Sequence, residues 1–206
     1  MLDFALSAFV TLLLVVDPVG LAPAFLAATA GMPDKVKRTI ALRAPLIAAS
    51  ILVVIALVGN WLLRQLGIGI PAFQIAGGLL LFGVSYQMIF GDRPHREARE
   101  ADKATSEHAS DVAVFPLAIP MMAGPGAIAT TLLLSGDAGY GARLAVIIAV
   151  VLSVCLLCML CLGSPDRETL GRTGNAVLSR VLGMLLAAYS VQFVINGIAA
   201  VRTSLP

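Results

Sequence analysis

Apolar residues fill six long stretches of this chain, and polar residues are swept into the gaps between them. The stretches run at about 4–30, 40–63, 71–90, 112–135, 142–163 and 177–201. Each is long enough to cross a bilayer, which takes about 20 residues of helix. The second, third, fifth and sixth predict plain helices. The first and fourth carry breakers inside the apolar run: "DPVGLAP" at 17–23 and "IPMMAGPG" at 119–126. Proline removes a helical hydrogen bond and crowds the preceding turn, and glycine adds backbone freedom. Both helices are therefore predicted to be interrupted. Unwound backbone survives at membrane depth only where protein or water satisfies it. The two breaks are expected to face the interior or a polar cavity.

The two halves resemble each other. Pro18 and Pro23 are five apart, as are Pro120 and Pro125, at a shift of 102 residues. "GLLLFGVSYQ" from Gly78 aligns with "GMLLAAYSVQ" from Gly183 at a shift of 105, and Leu66-Gly67 with Leu170-Gly171 at 104. Each half holds three spans, an odd number, so the second half enters the membrane from the opposite side. The predicted fold is an all-α integral membrane protein of six transmembrane helices, arranged as two inverted three-helix repeats, with helices 1 and 4 interrupted. Residues 1–90 form the first repeat, 91–111 a charged linker, and 112–206 the second repeat of a single membrane domain. Matched interruptions in inverted repeats point to a secondary transporter and its binding site.

Composition agrees with the pattern. Of 206 residues, 59% are hydrophobic and 13% charged, and the mean hydropathy is +0.94. Such a chain is a membrane protein rather than a soluble domain. The net charge of +2 is too small to suggest nucleic acid. Lys and Arg are unevenly placed, with eleven in or beside the first, third and fifth connections and only Arg64, Arg143 and Arg202 on the other side. By the positive-inside tendency, loops 31–40, 91–111 and 164–176 should be cytoplasmic and both termini outside, in a bacterial cytoplasmic (inner) membrane. The N-terminal "MLD" lacks the basic residues of a cleaved signal, so residues 1–30 are expected to remain part of the protein.

Asp17 is the ionisable residue placed well inside a span, where charge is costly and functional by default. It is a candidate for balancing a substrate ammonium, carrying a coupling proton, binding a cation, or capping the broken helix. With the shift of 102 its counterpart is Ile119, so the halves match in breaks and differ in charge. The half-helix starting near Gly126 would turn its positive end toward the cavity, which suits a carboxylate. The candidate substrate site is thus Asp17, Pro18, Gly20 and Pro23 with Pro120, Gly124, Pro125 and Gly126. Gln87, Gln192 and Asn196 form a polar seam on the third spans, read either as interhelical glue or as cavity lining. Thr130 and Thr131 follow the second break and are further cavity candidates. Cys155, Cys158 and Cys161 read as small apolar filler in a membrane helix. No metal or other cofactor is expected, apart from a coupling ion, proton or sodium.

The motifs "DPVGLAPAF" and "FPLAIPMMAGPGAI" resemble those of the MarC family of six-span bacterial and archaeal membrane proteins, and the resemblance covers essentially the whole chain. It implies transport of small neutral amino acids, glycine and alanine in particular, by a subgroup, with broken first and fourth helices flanking the site. It carries these roles onto Asp17, Pro18, Gly20, Pro23, Pro120, Gly124, Pro125 and Gly126.

The expected function is a secondary transporter of small neutral amino acids, with the lipid bilayer and a small-molecule substrate as partners. An intramembrane aspartyl protease would need two membrane carboxylates, and one is found. Both histidines, His95 and His108, lie in the charged linker, and no phosphate-binding loop is present, so no enzyme is expected. An exporter of another small solute, a channel, or an assembly factor without transport are the alternatives. Substrate, direction and oligomeric state are not set by the sequence.

Overall fold

A computed structural model describes residues 1–90, 112–136, 141–163 and 171–204, with Pro23, Ala27, Pro116, Pro120, Gly171, Arg172, Thr173, Asn175, Ala176, Thr203 and Ser204 described by backbone alone. The described elements are helical throughout: α1 Leu2–Val16, α2 Pro18–Ala28, α3 Asp34–Gln65, α4 Ile70–Phe90, an irregular α5 Ala113–Met122, α6 Pro125–Gly136, α7 Ala142–Gly163 and α8 Gly171–Ser204. Five stretches among the described residues are long and apolar enough to cross a membrane: Leu2–Ala22, Asp34–Gln65, Ile70–Phe90, Ala142–Gly163 and Val177–Arg202. Pro125–Gly136 is a shorter apolar helix. The protein is an integral membrane protein on this architecture. The charged linker 91–111, with both histidines, lies outside the described residues.

Two helices outrun their apolar runs. α3 starts at Asp34, behind an extended Pro33, and α8 starts at Gly171. Loops 31–40 and 164–176 are therefore shorter than the hydropathy pattern predicts. Hydropathy marks what can enter lipid, whereas Lys and Arg are good helix formers, so a polar turn simply continues the helix. α3 ends where Gly67 adopts φ +67. There Ile68 N–H donates to the Leu63 carbonyl at 2.9 Å and Gly67 N–H to Arg64 at 3.1 Å. This is the glycine-led cap that closes a helix C-terminus and turns the chain at once.

Packing follows residue size. α3 buries Ala41, Ala44, Ala48, Leu52, Ala56 and Gly59, a mostly small face at helical spacing. It packs against α7, which presents Ile147, Val151, Val154 and Cys158. Small residues let membrane helices approach closely. The thiols of Cys155, Cys158 and Cys161 are free, and the first two are buried in this layer.

α4 and α8 form the most extensive pair. A Cβ added at Gly78 would come within 2.8 Å of the Ser190 carbonyl, and one at Gly183 within 3.4 Å of the Ser85 carbonyl. Gly197 in turn meets Pro71 and Gln74. Low numbers on α4 thus face high numbers on α8, and the two helices run antiparallel. Large apolar side chains such as Leu46, Val54, Leu80, Leu156, Leu160 and Leu185 stand exposed around the bundle. Such an apolar girdle is the surface expected against hydrocarbon rather than water.

Candidate functional site

The break in the first apolar run is one residue long. Asp17 adopts φ 48, ψ 69, the left-handed region. This conformation costs an L-residue about 1–2 kcal/mol, with Asp and Asn tolerating it best. The local hydrogen bonds hold it there. Asp17 N–H donates to the Leu13 carbonyl at 2.9 Å and closes α1, and the Asp17 carbonyl accepts from Leu21 N–H at 3.0 Å and opens α2. Its Oδ1 accepts from Gly20 N–H at 3.0 Å. That is the bond of a helix N-cap, with Pro18 in the first helical position, where its missing N–H costs nothing. Pro18 therefore starts a helix rather than breaking one, and α2 runs on through Pro23.

Gly20 is required by the carboxylate. A Cβ there would collide with Asp17 Oδ2 and come within 2.7 Å of Cγ. The second oxygen, Oδ2, accepts from Ser179 Oγ of α8 at 3.4 Å. Asp17 is only 3% exposed. One side chain thus ties α1, α2 and α8 together. Capping, one of the roles open to Asp17 on sequence grounds, is realised.

The second break is longer and built differently. Phe115 (φ −128, ψ 127) and Ile119 (φ −127, ψ 124) are extended inside α5. Each precedes a proline, Pro116 and Pro120, whose ring drives the preceding residue out of the helical region. The Ala123 N–H reaches back five residues to the Ala118 carbonyl at 2.8 Å. α6 then restarts with the Gly124 carbonyl accepting from Ile128 N–H at 3.0 Å and Pro125 in the first position.

This changes the correspondence between the halves. Equal proline spacing pairs Pro18 with Pro120, but the helix restarts pair Pro18 with Pro125. The residue in the Asp17 role is then Gly124, not Ile119. Gly124 has no side chain to offer, so the N–H groups of the first turn of α6, which lack intrahelical partners, receive no carboxylate from their own cap.

The start of α6 packs against the end of α1. A Cβ on Gly126 would lie 3.2 Å from Val15 Cγ1, two residues before Asp17, and 3.4 Å from Leu81 Cδ2. One turn further along α6, Thr130 and Thr131 are both fully buried, and their Oγ1 atoms have no hydrogen-bond partner. Thr11, Thr29 and Thr39 each donate to the carbonyl four residues back. Thr130 and Thr131 do not take that bond, although unpaired buried hydroxyls are costly. Helical side chains lean toward the N-terminus, so these two lie over Gly126 and Ala127.

Asp17, Pro18, Gly20, Gly124, Pro125, Gly126 and Thr130 are thus gathered on α2 and α6, around the point where their first turns meet α1. The side chains of Pro23 and Pro120 lie outside the described residues. Gln87, Gln192 and Asn196 are not in this region or in the α4–α8 crossing. All three are exposed, and Gln192 Nε2 donates to Asn196 Oδ1 at 2.8 Å. The glue between α4 and α8 is close glycine packing, with Ser85 and Ser190 hydroxyls turned back onto Phe82 and Ala187 carbonyls. Ser179 is not legible in the sequence pattern, because its partner Asp17 is 162 residues away. Among the described residues no cluster of His, Cys, Asp or Glu could hold a metal ion.

Comparison with known proteins places these features. Residues 2–201 match the model of the MarC family integral membrane proteins. A UPF0056 membrane protein of Methanocaldococcus jannaschii is 33% identical, over 96% of this chain and 97% of its own. One of Archaeoglobus fulgidus is 37% identical, over 96% and 93%. The UPF0056 membrane protein YhcE of Escherichia coli is 30% identical, over 94% and 91%. No solved structure matches the chain.

Proposed function

The chain belongs to the MarC family of integral membrane proteins, and from that footing we propose that it is a secondary transporter of small neutral amino acids, glycine or alanine in size. The observation that carries this reading is a pair of proline-led helix restarts inside the bundle, with the first turn of α6 packed against Val15, two residues before Asp17. One is capped by a buried carboxylate and the other begins with bare Gly124-Pro125-Gly126. A zwitterion needs that asymmetry: negative charge for its ammonium and unspent helix-end N–H groups for its carboxylate. The unpartnered hydroxyls of Thr130 and Thr131 add polar capacity beside it.

Inverted repeats belong to the same proposal. Its support is the reciprocal packing: α4 on α8, α3 on α7, α3 on α5 and α6, and α7 on α1 and α2. α3 and α4 each meet their counterparts, and the contacts of α3 with α5 and α6 are exchanged for those of α7 with α1 and α2. Antiparallel α4 and α8 are what a two-fold axis in the membrane plane requires. We place the protein in the bacterial inner membrane with both termini outside, on the distribution of Lys and Arg, with a proton or sodium ion as the coupled ion and no catalytic role.

Purified protein in liposomes should accumulate labelled glycine or alanine against a gradient when an ion gradient is imposed. A channel would equilibrate the solute without concentrating it. Absence of uptake for every small solute, by protein that remains folded, would favour an assembly role.

A further inference from the structure

Two hydrogen bonds among the described residues join the first half of the molecule to the second at well-separated places. Ser179 Oγ of α8 donates to Asp17 at 3.4 Å. Asn60 Nδ2 of α3 donates to the Ser135 carbonyl of α6 at 2.6 Å. The second bond lies beside Gly136, where a Cβ would sit 3.5 Å from both Asn60 Oδ1 and Ile70. Ile70 adjoins Pro71, whose carbonyl faces Gly197 of α8. The Asn60 bond is therefore near the level of Gly197, and the Asp17 bond is at Ser179. Those positions are separated by roughly 27 Å along α8 at helical rise, close to the thickness of a bilayer core of about 30 Å.

We propose that Asn60 and Ser179 are gate residues that latch the two halves at two levels of one pathway, Ser179 at the α2 restart and Asn60 at the far end of α6, with the start of α6 and Thr130 between them. The inference rests on the transport reading, because a pathway that opens alternately needs breakable contacts between halves at two levels. The chemistry suits that task. Each latch pairs a neutral donor on one half with an acceptor on the other. The acceptors differ. Ser135 offers one of the last carbonyls of α6, which no helical N–H can reach. Asp17 offers the oxygen not used in capping α2, so anything that binds this carboxylate competes directly with Ser179.

The test uses full-length protein with Cys155, Cys158 and Cys161 replaced by alanine and Thr130→Cys as a buried probe. A membrane-impermeant maleimide is applied to intact cells and, separately, to inverted membrane vesicles. Asn60→Asp keeps the size of the side chain but loses the donor, and should raise labelling about fivefold in one preparation, the shift that a hydrogen bond of ordinary net strength restrains. Ser179→Ala should do so in the other preparation, and Ser179→Thr, which keeps the hydroxyl, should label like the parent. Asn60→Ala serves if Asn60→Asp does not reach the membrane. Increases on the same side, or no change in either variant, would overturn the gate assignment. Amino-acid uptake, measured in parallel in liposomes with protein that keeps Thr130, separates the two ideas. Uptake without side-specific labelling defeats the gates alone, and side-specific labelling without uptake defeats the substrate reading alone.

Discussion

Gly78 and Gly183 answer each other across the α4–α8 crossing. Each brings its bare Cα against a serine carbonyl of the opposite helix, Ser190 for the first and Ser85 for the second. The two contacts repeat at the same shift of 105 residues that relates the sequences. The tightest helix pair in the molecule is thus built from two copies of one local solution.

Alanine at either glycine should therefore destabilise the protein. The added methyl meets the Ser190 carbonyl at 2.8 Å from Gly78 and the Met88 Cβ at 2.8 Å from Gly183, neither of which is the far end of a flexible side chain. Overpacking of this kind costs about 1–3 kcal/mol. Thermal melting in detergent should show Gly78→Ala and Gly183→Ala well below the parent. Gly83→Ala, with nothing within 4 Å of its Cβ position, should melt at or slightly above it, because alanine favours the helix.

Gly20→Ala should act on Asp17 without touching it chemically. The new methyl takes the space of the carboxylate and ends the cap. A lost N-cap costs about 1 kcal/mol, and amino-acid uptake in liposomes should disappear with it. A variant with normal uptake and an unchanged melting point would show that the carboxylate does not sit as described.

Asp17→Asn separates capping from charge. Asparagine caps helices about as well as aspartate and tolerates the left-handed region, so stability in detergent should stay close to the parent. Uptake should still be lost if the negative charge handles substrate or ion. Retained uptake with an unchanged response to imposed ion gradients would confine Asp17 to capping.

Thr130→Val and Thr131→Val remove buried hydroxyls that have no protein partner. Their burial without a bond costs about 1–3 kcal/mol, so each valine variant should melt at or above the parent. The same variants should weaken uptake if the hydroxyls meet substrate. A drop in melting point would instead show that the hydroxyls are bonded in solution, to ordered water for example.

Much of the fold is legible in the sequence, because a membrane helix must be apolar along its whole buried length. α4 and α7 begin and end almost where hydropathy places them. The starts of α3 and α8 are not legible that way, since hydropathy is blind to helix that continues into water. Nor does equal proline spacing yield the right correspondence between breaks. The function of a proline depends on what precedes it: Asp17 and Gly124 cap, whereas Phe115 and Ile119 are merely displaced. Ser179 and Asn60 are invisible for another reason. Their partners are 162 and 75 residues away, and nothing local marks a serine or asparagine that will meet a distant chain segment. Gln87 and Gln192 stand out in an apolar run, yet they turn away from the neighbouring helix.

The single left-handed residue between α1 and α2 makes the first half a stiff joint. α1 and α2 share no slack beyond the two dihedrals of Asp17, so any tilt of α2 must rotate the residue that carries the charge. Between α5 and α6 the bend is spread over Phe115, Ile119, Ala123 and Gly124, and movement there can be divided among several small rotations. The halves therefore differ in compliance as well as in charge. One half bends at a single residue that also carries its charge, and the other bends over several residues that carry none.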